Sequence, residues 1–376
     1  MRFIGWRLRL LIILHGLMKK NRTFHNRKGS PGKFFSGICP LLALLLLGTL
    51  QVHGQTGGGG TYGFLNLTTS ARAVALGTKT IAIDDDDLNL AFYNPSLLSE
   101  GMENHLAFNY VNYFAGIHYG YAAYSPPMNR QWQFAAGLHY LNYGTFQQAD
   151  ENGVQEGQFR AAEYAFNLTA SMAPDTGWRI GVNLKPVYSD LYEYESLGLA
   201  ADIGATYTDT SGLFTAALVF KNLGTQIIPY HRGAYEPLPF EIQLGASLKL
   251  RHAPFRLIAI AEHLEKPDLT YSRPPEDDLL YGYYPGNSGE SGVFDKIMRH
   301  MILGVEFIPL KHFYVRAGYH YRRRQEMKVE TNLSTVGFSW GFGIKIYKLY
   351  LNYGRGTYHL AGGTNHFSVR ANLNEF

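Results

Sequence analysis

Apolar and polar side chains alternate strictly, position by position, in runs of about ten residues along most of this chain, and few folds accept that pattern. In residues 178–188, Ile180, Val182, Leu184 and Tyr188 share one face, while Arg179, Gly181, Asn183 and Lys185 take the other. In 241–250, Ile242, Leu244, Ala246 and Leu248 oppose Glu241, Gln243, Gly245, Ser247 and Lys249. In 312–321, Phe313, Val315, Ala317, Tyr319 and Tyr321 oppose Tyr314, Arg316, Gly318 and His320. Successive side chains of a strand point to opposite faces, so each run reads as a strand with one apolar and one polar side. Soluble strands average about five or six residues, whereas crossing a bilayer at a tilt takes about nine to eleven.

Composition points the same way. Charged residues make up 17% of the chain, against about 25% in soluble domains. No window of about 19 residues after position 55 is apolar enough for a membrane helix. A span would therefore have to be a barrel, whose backbone groups all pair between strands. Aromatic residues gather toward the ends of the runs, as at Trp132, Tyr140, Tyr143, Trp178, Tyr188, Tyr350, Tyr353 and Tyr358, and two interfacial girdles require that placement.

The pattern predicts an all-β fold, a transmembrane antiparallel β-barrel of about fourteen strands over residues 104–376. The strands are expected near 104–113, 115–124, 132–141, 162–172, 178–188, 196–206, 213–222, 240–250, 254–263, 299–307, 312–321, 334–346, 348–358 and 364–376. Long connections at 142–161, 223–239, 264–298 and 322–333 follow odd-numbered strands, and short ones follow even-numbered strands. Loops long on one side and tight on the other are the outer-membrane asymmetry, with the long loops outside the cell. Pro186 lacks a ladder donor, so a bulge is expected there. The last strand alternates through Phe367, Val369, Ala371 and Leu373, and Phe376 falls out of that phase.

Two segments precede the barrel. Residues 1–54 have the layout of a secretory signal with an extended basic n-region, an apolar run at 40–50, and Met18 as an alternative start. That layout predicts export and an integral outer-membrane location. The only cysteine, Cys39, lies inside this signal, which leaves no disulfide, cysteine zinc site or thiol nucleophile in the exported chain. Residues 55–103 open with Gly57–Gly60, are too short for a domain, and are expected to plug the lumen or cover its periplasmic mouth. Within them Ser70 is placed to cap a short helix to Leu76, and Asn94-Pro95 marks a turn.

Chemistry-bearing constellations are scarce. Asp84–Asp87 places four carboxylates together but lacks the spacing and distant glutamate of an EF-type calcium loop. A solvated turn or a polar stretch facing the lumen is the expected reading. The 14 histidines form no metal-binding helix pair, and no G-x-S-x-G elbow is present. An S-x-x-K match at Ser30–Lys33 falls in the signal region, with no K-T-G to accompany it. No catalytic, cofactor-binding or metal residues are assigned, and no nucleic-acid partner is expected. Arg322, Arg323 and Arg324, with Lys328, stand at a strand end on the long-loop side. Arginine pairs bidentately with phosphate, so these four are candidates for lipopolysaccharide phosphate among the outer-membrane lipids. The alternative is a solvated strand end paired with Glu326 and Glu330.

Several segments resemble the PorQ family, outer-membrane proteins of the type IX secretion system in Bacteroidota. They are FLNLTTSARAVALG (64–77), DDDDLNLAFYNPSLLS (84–99), NYVNYFAGIHYG (109–120), LVFKNLGTQI (218–227), PLPFEIQLG (237–245), HAPFRL (252–257), YHYRRRQEMK (319–328), GFSWGFGIKI (337–346) and GRGTYHLAGGTNHFSV (354–369). ARAVALG and YNPSLL are also similar to the wider PorV-type and FadL-type barrels. The resemblance implies a FadL-like barrel of fourteen strands without catalytic residues. It implies a place in the attachment complex, where a PorQ protein anchors the surface protein PorZ beside the sortase-like PorU and the barrel PorV. That complex joins cargo to lipopolysaccharide. A FadL-like channel for hydrophobic small molecules is the alternative function, and a soluble secreted β-protein is a third reading.

Overall fold

The computed structural model describes residues 60–376, apart from 128–130, 150–151, 153, 271–291, 311, 328–334 and 360–361. The signal in 1–54, the alternative start at Met18, Lys328 and Glu330 lie outside the described residues. So does most of the 264–298 connection.

Fourteen strands are present among the described residues: β1 (His105–Asn112), β2 (His118–Ser125), β3 (Trp132–Ala149), β4 (Gln155–Asp175), β5 (Trp178–Leu191), β6 (Tyr194–Thr208), β7 (Phe214–Ile228), β8 (Glu241–Lys249), β9 (Phe255–Ala261), β10 (Met301–Leu310), β11 (Phe313–His320), β12 (Phe338–Ile346), β13 (Leu349–His359) and β14 (Gly362–Asn372). Each pairs with its sequence neighbours, and β1 pairs with β14 from His105↔Asn372 to Asn112↔Asn365, so the sheet closes on itself. Closure removes the unpaired edges that lipid would not tolerate.

The outside of this cylinder is apolar. Val182, Leu184, Ile203, Leu218, Leu244, Leu257, Val315 and Trp340 are exposed there, while their strand neighbours Asn183, Lys185, Asp202 and Arg316 are buried within. Aromatic pairs edge this apolar surface at both ends, with Trp178–Tyr207 and Phe255–Phe307 at the turn end and Tyr140–Tyr164 and Tyr319–Phe338 at the loop end. Along β5, Trp178 to Tyr188 spans about ten residues at about 3.3 Å each. Tilted by about 40°, that gives a band about 25 Å tall, the height of an outer-membrane belt. A soluble protein has no use for such a surface, so the chain is an integral outer-membrane β-barrel.

Four expectations are corrected. Residues 142–161 are not a loop: β3 and β4 run 18 and 21 residues and stay paired through Phe146↔Phe159 and Ala149↔Gln155. Above the membrane the outer face need not be apolar, so the alternation fades in the sequence while the ladder continues. For the same reason β7 runs on to Ile228, inside the expected 223–239 connection. Pro186 produces no bulge, because Ala165↔Val187 and Leu168↔Leu184 keep one register and Pro186 pairs with Leu199. The missing donor leaves a gap in the β4–β5 ladder rather than an inserted residue, and the side-chain amide of Asn167 donates to the Ala165 carbonyl there at 3.2 Å. Residues 321–327, expected as strand end and loop, form a helix.

Residues 60–103 lie inside the barrel. They hold one helix, α1 (Ala71–Ala75), and short 3-10 turns at Gly63–Asn66, Leu88–Phe92, Pro95–Leu97 and Glu100–Met102. Ser70 caps α1 by accepting from the Ala73 N–H, and the chain leaves it through Gly77 and Thr78 at positive φ. Leu76, Ile81, Ile83, Leu90, Leu97 and Met102 of this plug form one apolar cluster with Ala107, Tyr121, Val219, Ile260 and Ile302 of the wall. α1 lies so close to the wall that a side chain at Gly318 or Gly354 would strike the backbone of Gly77 or Ala71.

Candidate functional site: the plugged lumen and its loop-end mouth

Burying charge inside a barrel costs several kcal/mol per ion unless each one is paired; plug and wall meet at three polar junctions, and at two of them the plug itself supplies a charged partner. The first surrounds Arg72 of α1. Its guanidinium donates to Glu306 of β10 from Nε and Nη2, both at 3.1 Å. It also donates to Asp85 at 3.0 and 2.7 Å and to Asp87 at 3.2 Å. Arg256 of β9 bridges Asp85 and Glu306 at 3.2 and 2.9 Å. Arg316 of β11 donates to Glu306 and to Asn352, each at 2.8 Å. Three arginines thus face three carboxylates, and the junction is neutral. Burial pushes the Asp85 carboxyl up, but Arg72 and Arg256 outweigh it and hold the group well below the usual range.

This junction settles the Asp84–Asp87 run. Asp84 pairs with Arg179 and accepts from Thr208, and the Asp86 carbonyl accepts from Arg370. The run faces the lumen, the second of the two expected readings: Asp84 meets Arg179 and Asp85 meets Arg256 of the wall, Asp87 meets Arg72 of the plug, and Asp86 stays exposed at a bend.

The second junction is on the opposite wall. Lys185 of β5 pairs with Asp202 of β6 at 2.6 Å and donates to Asn222 at 2.5 Å. Lys221 of β7 donates to the Phe92 carbonyl at 3.2 Å and lies over the Phe92 ring. Asn222 has positive φ, which lets its side chain turn inward to Asn66 of the plug at 2.7 Å.

The third junction sits toward the loop end. The Lys79 ammonium lies 2.5 Å from Glu241 and 2.6 Å from Glu262. Glu262 also meets Arg322 at 2.8 Å and His320 at 3.2 Å. Burial lowers the Lys79 pKa, yet the two carboxylates more than offset this and hold it above its usual value. Glu241, Glu262 and His263 bring ligand atoms within 4.8 Å of one another. The cation between the two carboxylates is the lysine itself.

Asn94 locks the turn end. Its amide donates to the Ile81 carbonyl at 2.7 Å and to Thr206 at 2.9 Å, and its oxygen accepts from the Ser96 N–H at 3.0 Å. Asn94 and Pro95 press against Gly181 and Gly204, where any side chain would collide with them.

At the loop end, helix α3 (Tyr321–Met327; α2 is Val293–Met298) leans over the mouth. Here the structure separates the arginine cluster. Arg322 turns inward to Glu262 and reaches Glu326 at 4.0 Å. Arg323 stacks over the Tyr358 ring with its guanidinium carbon 3.9 Å from the ring centre. Arg324 is engaged within the protein. A cavity of about 460 Å³ opens beside them, lined by Tyr113, Phe114, His320, Arg322, Arg323, Glu326, Met327 and Tyr358.

In the sequence, Lys185, Glu241 and Arg316 fall on polar strand faces without a role of their own, and nothing there marks Arg72, Lys79, Asp202, Glu262 or Glu306 as their counterparts. The available signal was the charge itself. A fixed charge on the polar face of a barrel strand must meet a partner inside, and only the plug segment was free to bring some of those partners.

No family model matches the sequence, and no curated protein matches it. Among solved structures it is similar to the toluene transporter TodX of Pseudomonas putida, at 12% identity over 81% of this chain and 96% of that one, with a TM-score of 0.47. It is also similar to a Pseudomonas aeruginosa FadL homologue, at 12% identity over 84% of this chain and 100% of that one, with a TM-score of 0.46. These likenesses concern the fold.

Proposed function

We propose that the protein is a plugged, non-enzymatic outer-membrane anchor whose loop end holds a partner at the cell surface. The observation that carries this reading is the set of ion pairs and hydrogen bonds between plug and wall, which binds residues 60–103 to eight strands, β1, β5, β6, β7, β8, β9, β10 and β14, and suits a rigid support better than a passage. The extended wall of β3–β5 supplies a second support. On its inner face, above the plug, Phe146, Phe159 and Tyr192 stack at 5.2 and 4.5 Å, where neither lipid nor core accounts for aromatic side chains.

The resemblance to the PorQ family names the partner: a PorZ-like surface protein, in a type IX attachment complex with a PorU-like sortase and a PorV-like barrel. This finer assignment rests on the sequence resemblance and receives nothing from the comparisons. Deleting the gene tests it. The PorZ-like protein and unprocessed cargo should leave the cells for the medium, and retention of that protein on the cells defeats the anchoring role.

A FadL-like channel for hydrophobic small molecules is the second reading, and it is the side on which the comparisons fall, because the similar solved barrels are named as a toluene transporter and a FadL homologue. The aromatic lining of the loop-end cavity favours it as well. Uptake of a labelled fatty acid that depends on this protein would establish the channel; equal uptake with and without it removes that reading.

A further inference from the structure

We propose that the loop-end cavity is a binding site for a compact apolar or aromatic body carrying one phosphate or carboxylate group. The inference is independent of whether the barrel anchors a partner or conducts a solute. A ligand site is concave, mostly apolar, and carries a few polar groups that fix orientation, and this cavity, at about 460 Å³, has that make-up.

Its apolar wall is a connected aromatic set. Tyr113 lies 4.8 Å from Phe114 and 6.3 Å from Tyr358 between ring centres, both edge-on, and Met327 completes the lining. Edge-on rings present faces and edges to a guest ring at spacings that aromatic pairs favour.

The polar element is Arg323. Its guanidinium carbon sits 3.9 Å from the centre of the Tyr358 ring, which holds the group at the cavity wall with N–H groups left to meet an oxyanion. Among the described residues no carboxylate lies within ion-pair distance of it. The neighbouring charges are already committed: Arg322 is drawn to the buried Glu262, and the Glu326 carboxylate faces Arg322. A planar guanidinium pre-oriented in this way pairs bidentately with phosphate or carboxylate. Neither the anion alone nor the apolar body alone uses both halves of the site.

The test is equilibrium binding to the full-length protein purified in a neutral detergent, followed by intrinsic fluorescence and calorimetry. Four probes separate the contributions: 1-naphthyl phosphate, inorganic phosphate, 1-naphthol, and a short-chain lysophosphatidic acid. Binding of 1-naphthyl phosphate at least about tenfold tighter than either naphthol or inorganic phosphate is expected, the scale of one charge-assisted pair. Arg323→Met should remove that advantage while the barrel keeps its heat-modifiable migration, and Phe114→Ala should weaken the naphthyl and lysophosphatidic probes but not inorganic phosphate. If inorganic phosphate binds as tightly as naphthyl phosphate, if naphthol does, or if Arg323→Met changes nothing, the proposal is overturned. Tighter binding of lysophosphatidic acid than of naphthyl phosphate, lost in Arg323→Met, supports the site and assigns its ligand to a lipid headgroup. The reverse order supports it with a soluble anion.

Discussion

The two faces of this barrel wall obey different rules. On the outside, Leu184 or Val315 needs only to be apolar, because lipid is an undirected solvent and most apolar side chains serve equally well. On the inside, Lys185 one position along is fixed by Asp202 and Asn222, and Glu306 by three separate arginines. Exchanges among apolar residues outside therefore cost little, whereas inside each charge depends on a named partner.

The largest effect should come from breaking the inner rule. Arg72→Met leaves Glu306, Asp85 and Asp87 facing only Arg256 and Arg316, and removing one partner of a buried charge set costs about 3–5 kcal/mol. The denaturant midpoint in micelles, read by heat-modifiable gel migration, should fall accordingly. A shift no larger than that of a conservative outer-face change such as Leu184→Ile would erase the distinction between the faces. Leu184→Arg breaks the outer rule instead and should cost about 2–4 kcal/mol at mid-bilayer depth, measured as the same midpoint in lipid vesicles.

The outer rule was the one legible in the sequence. Alternation in residues 178–188 and 241–250 placed strands and faces almost to the residue, because period two is a local property. The length of β4 was not legible, since beyond the membrane its outer face turns polar at Arg160 and Gln158 and the alternation ends before the strand does. The inner rule was hidden for another reason. Arg72 and Glu306 lie 234 positions apart, and nothing in either neighbourhood marks the other. Ser70 as a helix cap was readable because a cap and its helix adjoin; Asn94-Pro95 was readable as a turn, but its seat on Gly181 and Gly204 was not.

A smaller effect is expected at that seat. Asn94→Ala strands the Ile81 carbonyl and the Ser96 N–H, and unsatisfied buried groups cost about 1–3 kcal/mol. Faster proteolysis of residues 60–103 in the folded barrel is the readout, and protection equal to wild type would show that the wedge is dispensable.

The mildest probe is pH. The Asp85 carboxyl is held below its ordinary value of about 3.9, so its contribution is complete above that value and fades as pH falls through the folded-state value. Lys79 is held above its ordinary value of about 10.4, so its contribution is complete below that value and fades as pH rises through the raised one. Plug retention, followed by the same proteolysis, should be flat between about pH 4 and pH 10 as far as these two groups decide it, with losses outside that window. A step near neutral pH would assign control of the plug to other groups.

The account turns on a lumen closed by its own N-terminal segment, and electrical conductance in a planar bilayer tests this most directly. The intact barrel should insert and leave the current at baseline, while Arg72→Met combined with Lys79→Met should give intermittent openings as the plug loosens. Sustained ohmic steps from the intact protein would contradict the account.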